Sequence, residues 1–250
     1  MGSKTSFWRT IAGLVLFALA FGYVEAAVVA YLRAMYEPLR ATFYPGSANE
    51  LFPLLSFEQL QRLGPEHVVR LKIELGRELA TLLMLGGVAM AATRSARAWF
   101  AAFVLCFGVW DIAFYGFLKA LLGWPESLWT WDILFLLPVP WVGPVLAPML
   151  VSASMIAAGA LLLWREHNAQ PIEIDGVRWG AIVAGGLIIL AAFMVDFRNA
   201  AGGGNPNAFH WGVFAAGEAL GIIAFASALR RRPAAYLRSS FWLRLRRRSS

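Results

Sequence analysis

Six long apolar stretches constrain this sequence more than any other feature. A transmembrane helix needs about 20 predominantly apolar residues, and we predict helices at residues 8–32, 66–92, 98–122, 141–164, 179–197 and 209–229. Hydrophobic residues make up 59% of the chain and charged residues only 15%, whereas soluble domains have about 25% charged residues. The pattern therefore predicts an all-α, polytopic membrane bundle, with a single transmembrane domain over residues 1–229.

Basic residues outside the apolar stretches give these helices an orientation. Cytoplasmic loops of membrane proteins carry an excess of Lys and Arg. With six crossings, four basic groups fall on one side, namely Lys4 with Arg9, Arg94 with Arg97, Arg165 with Arg178, and the C-terminal arginines. We therefore expect a multi-pass protein of the cell membrane with both termini in the cytoplasm.

Residues 230–250 form a basic tail. They contain eight arginines and no acid, while the rest of the chain carries 14 basic and 15 acidic residues. The tail also contains Phe241 and Trp242, so it is expected to be amphipathic and to lie on anionic lipids at the cytoplasmic surface. Apart from the bilayer, the predicted partners are these lipids and, as an alternative, another subunit of a membrane complex; nucleic acid is not expected.

The connection between the third and fourth predicted helices is rich in Trp and Pro. Residues 124–141 are too apolar for a solvated loop and too short for another crossing. Tryptophan favours the membrane interface, and non-helical backbone is tolerated at membrane depth only where protein or water satisfies it. We expect an interfacial or re-entrant segment that covers the non-cytoplasmic end of the bundle, with Trp131 and Asp132 in its gate.

Five carboxylates lie within the predicted helices, where charged groups are costly and usually functional. They are Glu25, Glu74, Glu78, Asp111 and Glu218. At about 1.5 Å of rise per residue, all five lie roughly 10–16 Å from the outer helix ends. Shared depth on four helices predicts one acidic cavity open to the non-cytoplasmic side.

Helical spacing adds polar neighbours to these acids. Glu74 and Glu78 are four residues apart and share a face, as do Asp111, Tyr115 and Lys119. Arg77 and Lys119 are expected to neutralise nearby acids, and His210 lies eight residues before Glu218. We expect these faces to converge on an ion or substrate.

Cofactor chemistry has little support in the sequence. The chain has a single cysteine, Cys106, and lacks the phosphate-binding and dinucleotide-binding glycine motifs. No cofactor is predicted. A metal ion remains an alternative, and its expected ligands are Glu74, Glu78, Glu218 and His210.

Three functions fit this pattern. The first is a small proton- or cation-linked transporter. The others are a membrane-embedded enzyme acting on a lipid or isoprenoid, and an accessory subunit of a membrane complex. An internal cavity would favour the first two, because a scaffold does not need one.

Overall fold

A computed structural model of the chain describes residues 4–45 and 54–230. The basic tail was predicted at residues 230–250, and residues 231–250 lie outside the described residues. The elements are α1 (Lys4–Phe43), α2 (Phe57–Leu63), α3 (Pro65–Ala92), α4 (Ala96–Leu122), β1 (Trp131–Phe135), β2 (Trp141–Pro144), α5 (Leu146–His167), α6 (Gly176–Met194), α7 (Phe197–Ala201) and α8 (Trp211–Leu229).

Six of these helices are long and apolar enough to cross a membrane, namely α1, α3, α4, α5, α6 and α8. The predicted all-α membrane bundle is therefore confirmed. Large apolar side chains on the outer faces of the helices are exposed, for example Leu83, Val177 and Ile223. Such side chains would contact lipid acyl chains in a bilayer, which explains why a protein so rich in apolar residues leaves them outside its core.

Two helix boundaries differ from the prediction by five residues or more. The first helix continues from residue 32 to Phe43, through Pro38. The predicted end was wrong because it marked the end of the apolar run, whereas the helix itself goes on with an amphipathic stretch. The helix predicted to begin at residue 141 begins at Leu146, because residues 141–144 form a strand.

Helix α4 lies at the centre of a four-helix group made of α1, α3, α4 and α5. Close packing of α4 on α5 depends on Gly108, where a Cβ atom would lie 2.5 Å from the carbonyl oxygen of Ser152. Helices without large side chains at the contact can approach closely, which is how many membrane helices associate.

Helices α6 and α8 form a separate two-helix group and pack mainly against each other. Their contact is also close, because a Cβ on Gly185 would lie 2.7 Å from the carbonyl oxygen of Gly217. The two-helix group meets α5 at the hairpin end of the bundle through a cluster that includes Ala147, Phe193 and Phe214.

The Trp- and Pro-rich connection contains an antiparallel hairpin of β1 and β2, in which Asp132 lies opposite Gly143. Val142 and Asp132 are buried. Pro140 precedes β2 and Pro144 is its last residue. Proline cannot donate the hydrogen bonds of a helix interior, which explains why the apolar run does not form a helix here. The paired strands satisfy their own backbone groups inside the protein.

The start of α2 follows the sequence closely. Ser56 accepts a hydrogen bond from the Gln59 amide, and the Gln59 side chain accepts one from the Ser56 amide at 2.8 Å. This is the capping box that the Ser-x-x-Gln spacing indicates.

Candidate functional site

A cavity of about 1250 Å³ lies between the four-helix group, the hairpin and α6. Seven of the residues predicted for the site line it: Glu25, Glu74, Arg77, Glu78, Asp111, Tyr115 and Asp132. Much of the remaining lining is apolar and includes Phe107 of α4, Met155 of α5 and Leu187 of α6. The cavity therefore combines polar and apolar side chains in one lining.

Arg77 links two acids from different helices. Its guanidinium forms ion pairs with Glu25 of α1 and Glu74 of α3, and its Nε donates to Glu74 at 2.9 Å. The Thr81 hydroxyl donates to Glu25 at 3.3 Å. Arg77 was expected to neutralise Glu74 or Glu78; it pairs with Glu74, and its second partner is Glu25.

Glu78 holds the hairpin connection against α3. Both of its carboxylate oxygens accept the Leu136 amide at 2.9 Å. Leu136 follows directly after β1, so this contact satisfies a backbone donor where the strand ends. Glu78 is only 6% exposed, so it belongs to the buried contact between α3 and the hairpin.

A second polar cluster joins α4, α5 and the hairpin. The Tyr115 hydroxyl donates to Asp132 at 2.8 Å, and the Ser152 hydroxyl donates to Asp111 at 2.8 Å. Asp132 lies in the hairpin, outside the spanning helices. Burial raises the pKa of its carboxyl to about 6, although hydrogen bonds from Tyr115 and Ile133 and the charge of Arg33 act in the opposite direction.

Four predicted site residues do not line this cavity: Lys119, Trp131, His210 and Glu218. Lys119 donates to the carbonyl oxygens of Gly123 and Pro125, both at 2.8 Å, and so closes the end of α4 instead of pairing with Asp111. Trp131 packs edge-on against Phe209. His210 is exposed at the start of α8.

Glu218 lies on the other side of α5. It accepts a hydrogen bond from Ser154, while Ser152 on the same helix donates to Asp111. Two residues correspond to about 200° of helix rotation. Asp111 and Glu218 therefore contact opposite faces of α5 at nearly the same height.

The cavity is also lined by polar residues that are not among the predicted site residues: Arg33, Tyr36, Glu37, Arg40, Arg70, Thr81, Trp124, Glu126 and Ser152. The four from α1 have helical spacing (33, 36, 37 and 40), which is the pattern of one helix face. The spacing of these four residues is visible in the sequence. It indicates a polar helix face only if α1 extends beyond residue 32, as it does in the structure.

No protein-family model, curated protein or solved structure matches this chain.

The four metal ligands proposed from the sequence do not form a common site. Glu74 and Glu78 line the cavity, whereas Glu218 and His210 do not. Within residues 4–45 and 54–230, no three His, Cys, Asp or Glu side chains are grouped so that they could hold a metal ion.

A second cavity, of about 590 Å³, lies at the opposite end of the bundle. Its lining includes Arg97, Arg165, Glu166 and Trp179, and none of the predicted site residues. The candidate site is therefore the larger cavity.

Proposed function

We propose that this integral membrane protein is a proton-linked transporter of a small amphipathic organic molecule, which binds in the larger cavity. The observation that carries the proposal is the cavity itself, which measures about 1250 Å³ and is lined by both buried carboxylates and many apolar side chains. Sites for small organic ligands usually measure about 300–1,000 Å³. A bare ion does not need a space of this size.

The arrangement of the helices supports transport. The cavity lies between the four-helix group and α6 of the two-helix group. Alternating access in many transporters is the movement of one helix group against another around a fixed site. Close contacts within each group, at Gly108 and Gly185, would let the groups move as units.

Asp111 and Asp132 are the groups proposed to carry the proton. Asp132 faces Tyr115 from α4 and Arg33 from α1, and Asp111 lies close enough to influence it electrostatically. Glu25, Glu74, Glu78, Asp111 and Asp132 each accept a hydrogen bond or ion pair from the protein. This pairing supports proton exchange over the cation binding that the sequence also allowed.

The test is proton flux in proteoliposomes that contain a pH-sensitive dye. Hexyl phosphate, hexyltrimethylammonium and hexyl glucoside are added separately, with protein-free liposomes as the background. At least one probe should drive flux above that background. Because Asp132 is protonated below its pKa of about 6 and ionised above it, a step that requires the loaded proton should slow as the pH rises through this value.

Two variants and a control decide the role of the acids. Asp111→Asn and Asp132→Asn should each lower the flux at least 10-fold, and Asp132→Asn should also remove the transition near pH 6. Glu173→Gln, in the loop between α5 and α6, should behave like wild type. The proposal fails if none of the probes drives flux, or if both aspartate variants keep the wild-type rate and pH profile.

A membrane-embedded enzyme acting on a lipid or isoprenoid is the second candidate. It is favoured by the two aspartates, which face one cavity but have different donors, Ser152 and Tyr115. Different environments can separate the pKa values of two acids into a general acid and a general base. A product that wild type forms from a lipid extract and Asp111→Asn does not, without proton flux, would select this function.

Two further expectations from the sequence remain proposals. The positive-inside pattern would place the cavity in the non-cytoplasmic half of the membrane, with both termini in the cytoplasm. A role as an accessory subunit would not require so large an internal space, so the cavity supports the transporter and the enzyme over it.

A further inference from the structure

The larger cavity has unused hydrogen-bond donors. In the part of the chain that the structure describes, the buried side-chain polar atoms without a hydrogen-bond partner are all nitrogens. Four of them belong to residues that line this cavity and have no ion-pair partner: Nε and Nη2 of Arg33, Nε1 of Trp110 and Nε1 of Trp141. Buried donors in proteins are almost always paired, so these unpaired donors indicate a bound group that brings acceptors.

Six of the seven carboxylates that line the cavity already accept from the protein. Glu25 and Glu74 pair with Arg77, Glu37 pairs with Arg40, and Glu78 accepts the Leu136 amide. Asp132 and Asp111 accept from Tyr115 and Ser152, and the seventh carboxylate, Glu126, is exposed. Among the described residues, the buried side-chain atoms that remain without a hydrogen-bond partner are therefore donors, which fits an anionic or oxygen-rich ligand better than a cation.

Arg33 is held in place for such a ligand. Its guanidinium carbon lies 3.9 Å from the ring centroid of Trp124, a buried residue. Stacking on an aromatic ring fixes the plane of a guanidinium and leaves its edge available for hydrogen bonds. Arg40, about two helical turns further along the same face of α1, lines the same cavity and is paired with Glu37.

The same cavity also has a large apolar lining. It includes Phe107 on α4, Val151 and Met155 on α5, and Leu187 and Leu190 on α6. A molecule that places oxygen acceptors near Arg33 and fills the rest of the cavity needs an apolar portion of several carbon atoms. The cavity therefore matches an amphiphile with a small head.

We propose that the ligand of this cavity carries an oxyanion headgroup, a phosphate or a carboxylate, which Arg33 binds through Nε and Nη2 while the apolar chain lies between α4, α5 and α6. The edge of a guanidinium presents parallel N–H groups that match two oxygens of a phosphate or carboxylate. This inference rests on the part of the proposed function in which the cavity binds an amphiphile, and it does not depend on transport.

The experiment is native mass spectrometry of the full-length protein in a mild nonionic detergent. Dodecyl phosphate and dodecyltrimethylammonium compete at equal concentration, and inorganic phosphate is added in a separate sample. We expect one dodecyl phosphate per chain, retained at least 10-fold more strongly than the cationic amphiphile. Inorganic phosphate alone should bind at least 10-fold more weakly, because it lacks the chain.

Variants assign the headgroup to Arg33. Arg33→Gln should reduce dodecyl phosphate binding at least 10-fold. Arg33→Lys, which keeps the positive charge but loses the parallel N–H groups of the guanidinium, should reduce it less. The matched control is Arg178→Gln, because Arg178 pairs with Asp175 and Ser227 at the other end of the bundle. Thermal melts check folding, and Trp124→Phe, which weakens the stacking alone, gives a second and milder test of the same contact.

The outcomes separate this inference from the proposed function. Equal retention of the two amphiphiles, or unchanged binding in Arg33→Gln, overturns the oxyanion assignment and leaves the amphiphile site standing. No retention of any probe by wild type overturns both. Inorganic phosphate that binds as tightly as dodecyl phosphate supports Arg33 as the anchor but makes a free oxyanion the ligand. Dodecyl phosphate binding without proton flux supports this inference and rejects transport alone.

Discussion

Arg77 forms ion pairs with two acids of the cavity. Its partners come from different helices, Glu25 from α1 and Glu74 from α3. The side chains of Arg77, Glu74 and Glu25 are 23%, 18% and 9% exposed, so water compensates only part of their charge. Removal of one partner of a buried ion pair leaves an uncompensated charge, and here the removal of Arg77 leaves two.

This arrangement predicts an order of stabilities. Arg77→Gln should lower the free energy of unfolding by about 3 kcal/mol, within the range for broken buried pairs. Glu25→Gln and Glu74→Gln should each cost less, because Arg77 keeps one carboxylate. The triple variant, with all three residues replaced by neutral ones, should recover part of the loss. Thermal unfolding in detergent measures this order; Glu25→Gln as damaging as Arg77→Gln would contradict it.

At the scale of the elements, the contact between α4 and α5 positions the aspartate cluster. Gly108 lets the α5 backbone approach at Ser152, and the Ser152 hydroxyl donates to Asp111. Gly108 and Asp111 are three residues apart and share a face of α4. The close helix contact and the polar contact are therefore parts of one interface.

Gly108→Ala should separate the helices, because the new methyl group would lie 2.5 Å from the Ser152 carbonyl oxygen. Overpacking of this kind costs about 1–3 kcal/mol. Gly116→Ala is the matched control on the same helix, where a Cβ meets no atom within 4 Å, and it should be neutral or slightly stabilising. Unfolding titrations of the two variants measure the difference; equal stabilities would show that the contact at Gly108 is not close.

At the scale of the whole molecule, the division into a four-helix group and a two-helix group determines how the cavity could open. The groups meet at the hairpin end through Ala147, Phe193 and Phe214. Further along the bundle, the Ser154 hydroxyl of α5 donates to Glu218 of α8. This hydrogen bond crosses the boundary between the groups on the side of α5 away from the cavity.

A disulfide across this boundary should stop transport and spare binding. Ser154→Cys with Glu218→Cys, in a Cys106→Ala background that removes the single native thiol, should lose at least 10-fold of its flux on oxidation. Reduction should restore the flux, and the oxidised protein should still retain dodecyl phosphate. Glu218→Cys without its partner cysteine controls for the lost acid. Full flux in the cross-linked protein would show that the groups do not move at this contact.

The sequence predicted the number of spanning helices and the heights of the acidic residues along them. Both follow from local properties, namely the length of an apolar run and the rise per residue of a helix. Long apolar runs identified the six helices, and the rise per residue placed Glu25, Glu74, Glu78 and Asp111 at the height where they line one cavity. The ends of the apolar runs gave two helix boundaries wrongly. The predicted first helix ended before α1 does, and the predicted fourth helix included β2. The reason is that a helix can continue beyond an apolar run, and an apolar run can form a strand.

The rotation of each helix about its own axis depends on tertiary packing and could not be predicted from the sequence. Glu218 has the height expected from the sequence, yet it bonds to Ser154 on the opposite face of α5 from Asp111. Arg33 joined the cavity only through the extension of α1 and its stacking on Trp124. Height along a helix accumulates residue by residue and can be counted in the sequence. Rotation about its axis is set by the neighbouring helices and the hairpin, whose packing depends on residues far apart in the chain.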